Sequence, residues 1–145
     1  MKPMELQETI EDLKAGDRLA LSKFLTDVET SDNPMEMVLK LYNKVERITP
    51  IIGVTGFPGA GKSSLINSFI KLLRMKEKKV GVIAVDPSSL ISGGSLLGDR
   101  TRMEQHSSDD KVFIRSLSSD GELGGLSHKS FLLSLVMATF NFDFI

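Results

Sequence analysis

Gly56, Gly61, Lys62 and Ser63 fall at the spacing G-x-x-x-x-G-K-[ST], and no other stretch restricts the fold of this chain as much. That spacing describes a loop whose backbone N–H groups turn inward around phosphate oxygens, with a lysine reaching the terminal phosphates. Glycine at 59 and 61 leaves room for the anion to approach the backbone. The helix that opens at the loop directs its first amides and positive dipole end at the same charge, and the Ser63 hydroxyl is placed for a magnesium ion bridging the phosphates. Gly56, Gly59, Ala60, Gly61, Lys62, Ser63 and Ser64 are therefore the expected nucleotide-binding residues.

The flanks agree with this reading. The apolar run Ile51-Ile52-Gly53-Val54 precedes the loop and predicts a strand. Leu65, Ile66, Phe69, Ile70, Leu72 and Leu73 follow at helical spacing, so strand, loop and helix come in the required order. Val80 to Val85 reads as a second strand, covered on both faces, and ends in Asp86-Pro87. A carboxylate at that end of a parallel strand lies on the edge where ligands bind in open α/β sheets.

Ser88 to Gly98 is serine- and glycine-rich and predicts a loop, with Asp99 opening a short helix through Met103. Magnesium needs only one or two protein carboxylates beside phosphate oxygens, so Asp86 and Asp99 with Ser63 form the candidate metal set. Asp99 fits a plain helix cap equally well. Val112 to Ile114 predicts a third strand and Ser116 to Gly125 a second loop. Phe131, Leu132, Leu135 and Val136 predict another helix, and Phe142 to Ile145 the start of a fourth strand. His106 and His128 stand alone, without ligand-spaced partners, and read as surface or loop residues.

Ahead of the loop, residues 1–49 predict helices. Leu6, Ile10 and Leu13 share one face, and Leu21, Phe24, Leu25 and Val28 another behind an Asp17 cap. Pro34 opens a third helix carrying Val38, Leu41, Tyr42, Val45 and Ile48. Residues 1–49 are thus a helical preface to a nucleotide-binding domain at 50–145, with a mainly parallel α/β sheet flanked by helices. A net charge of −1 over 145 residues argues against nucleic acid or an anionic membrane as the main partner. The cluster Lys76-Glu77-Lys78-Lys79 reads as a solvated helix end. Without cysteine, disulfides and thiolate zinc sites are excluded. No apolar run approaches a membrane span, and the N-terminus shows no signal or transit pattern, so a cytoplasmic protein is expected.

GVTGFPGAGKSSLI, VGVIAVDPSS, SGGSLLGDRTRM and GELGGLS, in this order, resemble the MeaB/ArgK family of P-loop GTPases, and Ala15-Gly16-Asp17-Arg18 fits the same family. The resemblance covers about the first half of a typical member. It implies a P-loop NTPase that binds GTP, GDP and Mg2+ and acts as a chaperone of an adenosylcobalamin-dependent acyl-CoA mutase, chiefly methylmalonyl-CoA mutase, gating cofactor loading and protecting the mutase. By position it gives Lys62, Asp86 and Asp99 catalytic roles and residues 88–102 a nucleotide-dependent switch. Complete members resemble homodimers and carry a guanine-reading Asn-Lys-x-Asp motif further on. They also carry a basic residue where this chain has Asp120. Two other classes fit the loop: a non-hydrolysing nucleotide- or partner-binding fragment, and an ATP-using kinase or transport ATPase.

Overall fold

The computed structural model describes residues 3–45, 48–57, 59–86, 106, 108–118 and 128–145, with backbone alone for 3–6, 86 and 118. In chain order the elements are α1 (Pro3–Ala15), α2 (Arg18–Thr30), α3 (Pro34–Tyr42), α4 (Lys62–Met75), β1 (Val80–Asp86), β2 (Val112–Ser118) and α5 (His128–Ala138).

The two strands run parallel, with Val80 opposite Val112 and Asp86 opposite Ser118. Side chains alternate across this sheet, and each face closes a separate core. Phe113 and Leu117, with Ile83 beside them, meet α1, α2, α3 and α5 through Ile10, Leu13, Leu21, Phe24, Leu25, Val28, Val38, Leu41, Leu132, Leu133 and Val136. Val80, Val82 and Val112 face the other way, onto Ile70 and Leu73 of α4. The expected parallel sheet between helices is present, and among the described residues it is unclosed. Gly81 of β1 lies against Met137 of α5 and the Phe142 ring. A Cβ there would lie 2.5 Å from the Met137 Cε and 3.0 Å from the Phe142 ring.

The N-terminal helices follow the expected pattern. Leu21, Phe24, Leu25 and Val28 are all buried in α2, and the Asp17 carboxylate accepts from the Leu19 N–H at 2.7 Å and the Ala20 N–H at 3.1 Å. Ile10 and Leu13 of α1 are buried, while the Leu6 side chain lies outside the described residues. The third helix is shorter than its stripe predicts. It ends at Tyr42, where the Asn43 N–H turns back to the Leu39 and Leu41 carbonyls, and Ile48 lies beyond it, 47% exposed.

Two further expectations are corrected. Residues 51–54 join no sheet strand. Among the described residues their one backbone pairing is with Ile145, whose N–H donates to the Pro50 carbonyl at 3.0 Å and whose carbonyl accepts from the Ile52 N–H at 2.7 Å. Among the described residues that single pairing does not make a strand. His106, expected at the surface or in a loop, does lie in the turn ahead of β2 but is buried there, at 7% exposure. The expected Asp99 helix, the 88–98 loop and Asp120 lie outside the described residues. Among the described residues, no helix is long and apolar enough to cross a membrane.

Candidate functional site: a phosphate-binding loop at the start of α4

The segment leading to the loop is anchored at its root. Thr49 is buried, its N–H donating to the Ala138 carbonyl at 2.8 Å and its hydroxyl to the Phe142 carbonyl at 2.9 Å, so the chain leaves the end of α5 in a fixed place. From there it runs alongside Ile145, while Phe144 forms a parallel bridge with Val80. Ile51, Ile145 and Gly81 are therefore level with one another across the sheet. Five residues on from each end of that row stand Gly56 and Asp86. Both segments run the same way from that row, toward the C-terminal end of β1.

The turn itself depends on two glycines. Gly59 has φ 79° and Gly61 φ 84°, both in the left-handed region that other residues enter only with strain. A Cβ at either position would meet no protein atom within 4 Å, so the backbone conformation, and not crowding by neighbouring protein, demands glycine there. Gly61 is also the N-cap of α4, and its carbonyl accepts the first helical bond, from the Leu65 N–H at 2.9 Å. A helix opening on a glycine has no side-chain cap for its first-turn amides. Those are the groups an anion would take.

Lys62 closes the loop on itself. Its Nζ donates to the Gly56 carbonyl at 2.8 Å and to the Phe57 carbonyl at 2.9 Å, and the Phe57 carbonyl also accepts from the Ala60 N–H at 3.2 Å. The ammonium is thereby held over the hollow of the turn by two neutral acceptors. A phosphate oxygen, carrying full charge, would be the stronger partner. Ser63 is half-buried in the first turn of α4, and Ser64 is exposed, its carbonyl accepting from the Ser68 hydroxyl at 3.0 Å.

Gly56, Gly59, Ala60, Gly61, Lys62, Ser63 and Ser64 lie on one stretch of loop and helix start, and the Asp86 backbone ends β1 opposite Ser118. Asp99 lies outside the described residues. The sequence reading did not single out Phe57, which is 86% exposed on the crest of the loop. A lone aromatic inside a glycine motif carries no periodic signal. The helix face also differs from expectation. Ile70 and Leu73 are buried, while Leu65, Phe69 and Leu72 on the other flank are 62%, 40% and 49% exposed.

Comparison with known proteins extends the match well beyond the loop. The family described as methylmalonyl Co-A mutase-associated GTPase MeaB matches residues 21–145. A Pyrococcus horikoshii protein whose name marks it as a GTPase is 49% identical over 127 residues, which is 88% of this chain and 39% of that protein. The Escherichia coli GTPase ArgK is 40% identical over 146 residues, covering 97% of this chain and 44% of its own length. The crystal structure of an LAO/AO transport system kinase superposes with a TM-score of 0.67 at 28% identity, over 99% of this chain and 42% of that one. The chain spans about two fifths of the length of the relatives it matches. With the loop, the parallel sheet and the helical preface all inside these matches, the chain belongs to the MeaB family of methylmalonyl-CoA mutase-associated P-loop GTPases.

Proposed function

We propose that the protein binds GTP and GDP, hydrolyses GTP, and serves an adenosylcobalamin-dependent acyl-CoA mutase as a chaperone that gates cofactor loading and protects the mutase. The observation that carries the reading is the loop of left-handed Gly59 and Gly61 with Lys62 poised over it, in a chain of a mutase-associated GTPase family. In this reading Lys62 exchanges the Gly56 and Phe57 carbonyls for phosphate oxygens, and the amides of residues 59–64 bind the remaining oxygens. Water attacks the γ-phosphorus and GDP leaves. Little covalent chemistry falls to the protein, which contributes positioning and charge neutralisation.

The donor set fits magnesium by its chemistry: the Ser63 hydroxyl at the start of α4 and a carboxylate at the end of β1 are hard oxygen ligands. Ser63 and Asp86, joined by Asp99, would hold the ion. When bound, it would offset the negative charge of the phosphates.

Thermal unfolding with magnesium and GDP or ADP at matched concentration tests the nucleotide reading. GDP at a hundredfold excess over its dissociation constant stabilises the folded state by about 2.7 kcal/mol. For a domain of this size the midpoint then rises by about 5–11 °C. Lys62→Ala abolishes that rise. An equal rise with ADP would favour an ATP-using enzyme, and no rise with either nucleotide would overturn the nucleotide reading. Turnover of GTP measured with and without saturating mutase tests the chaperone reading, and a rate the mutase leaves unchanged would count against it.

A further inference from the structure

Thr49 carries a hydroxyl at a core position, 2% exposed, that a valine would fill with no polar group to satisfy. The hydroxyl is put to use. It donates to the Phe142 carbonyl at 2.9 Å and lies 3.5 Å from the Phe140 carbonyl, while the Thr49 N–H donates to the Ala138 carbonyl at 2.8 Å. One residue thereby ties the last residue of α5, and the turn that follows it, to the segment that becomes the phosphate loop. Its acceptors are themselves held in place. The Phe142 ring lies 4.9 Å from the Phe140 ring and 6.1 Å from the Phe113 ring, centre to centre, and stands against Gly81 of β1.

The far end of the loop is fixed as well, because Ile70 and Leu73 bury α4 against Val80 and Val82. Between the two ends the glycines themselves contribute little packing: a Cβ at Gly59 or Gly61 would meet no protein atom within 4 Å. A turn of this kind takes its shape from its ends. Loosening one end enlarges the set of conformations the turn visits, and a ligand then has to order them as it binds. We infer that Thr49 is a positioning residue of the phosphate loop: its hydroxyl fixes the root of the loop, holds the turn of Gly59 to Lys62 in one conformation, and so raises affinity for a nucleoside diphosphate. Thr49 acts through the backbone that joins it to Gly56, seven residues on. Its part in affinity rests on the nucleotide reading, and its part in ordering the loop rests on geometry alone.

Thr49→Val and Thr49→Ala both remove the donor, alanine without setting a methyl group against the Phe142 carbonyl, so it carries the test if the valine variant does not fold. Thr49→Ser restores the donor. GDP with magnesium is titrated into each whole chain, and amide exchange is followed without nucleotide at Ala60 and Leu65, whose N–H groups bond to the Phe57 and Gly61 carbonyls. Without the hydroxyl, the dissociation constant for GDP rises about two- to tenfold, the range one buried hydrogen bond supplies. Exchange at Ala60 and Leu65 quickens by a similar factor beyond any change at the Leu25 amide of α2, and Thr49→Ser recovers most of both effects. Asp17→Ala, at the cap of α2, loses stability without changing the GDP constant. A Thr49 variant that behaves the same way, with lost stability but unaltered GDP affinity and unaltered exchange at Ala60 and Leu65, would make Thr49 a core residue only and overturn the inference. So would a serine variant no better than the valine or alanine one. A wild-type chain that binds no GDP would sink the nucleotide reading instead, and exchange at Ala60 and Leu65 would still decide whether Thr49 orders the loop.

Discussion

A histidine that is 7% exposed and leaves its Nε2 without a hydrogen-bond partner is a poor home for a proton. Burial is the main reason the imidazole of His106 titrates below its usual range, and the Lys71 ammonium adds to it against the opposing pull of Asp109. The sign follows from linkage. The unfolded chain takes up the proton near pH 6.5 while the folded one resists, so stability is full above that value and falls as the pH drops toward the folded pKa. The slope for one proton reaches at most about 1.4 kcal/mol per pH unit. We expect the unfolding midpoint to fall between pH 7.5 and 5.5, and His106→Gln to flatten that fall. Equal slopes in the two proteins would refute the assignment. Asp109 does not confuse the result. Arg74, at 2.8 Å, and the Lys111 N–H hold its carboxyl below the ordinary range, so its contribution is lost only at more acidic pH. Nothing in the sequence foretold this burial, because a lone histidine carries no period and its burial depends on which elements meet around it.

Elements whose boundaries are set by nearby residues were the most legible. The α2 helix starts where Asp17 caps it and buries the four residues its spacing names. Asp17→Ala removes the acceptor of two amides, Leu19 and Ala20, and should cost about 1 kcal/mol. Chemical denaturation with an unchanged m-value checks this, and Asp17→Asn, which keeps an acceptor, should recover most of the loss. The phosphate loop was legible for the same reason, since its glycines and Lys62 are contiguous and its φ angles are local. The strand before it was not. Ile51 to Val54 has the right residues, yet a strand is a property of a pair, and among the described residues the pairing of Pro50 and Ile52 with Ile145 does not extend into one. The outer flank of α4 repeats the lesson. Leu65, Phe69 and Leu72 share the helical period of Ile70 and Leu73, and periodicity alone does not say which apolar flank meets the sheet. That Ile51, Ile145 and Gly81 come level across the sheet is a matter of register, which no local pattern encodes.

For the whole molecule, the question is whether residues 1–49 fold with the sheet or beside it. One core cluster joins Leu21, Phe24 and Leu25 of α2 to Phe113 and Leu117 of β2 and to Leu132 of α5. Polar tethers run along the same contact. The Arg18 guanidinium donates to the Asp110 and Val112 carbonyls and lies 5.6 Å from the centre of the Phe113 ring, and Arg115 of β2 pairs with Glu29 of α2 at 2.5 Å. Burial and tethers thus couple the preface to the strand that flanks β1, which leads to the sheet edge of the phosphate loop. Leu25→Ala, at a position with no exposure, should cost about 2–5 kcal/mol, a large part of the 5–15 kcal/mol that such domains hold. The midpoint should drop by about 4–20 °C. The decisive reading is where the loss is felt. If the two segments form one cooperative unit, amides of β1 and β2 lose protection in the same transition as those of α2, although Leu25 touches neither loop nor nucleotide. Melting of α2 while the β1 amides keep their protection would show two units instead, and the division between residues 49 and 50 would then be one of folding as well as of sequence.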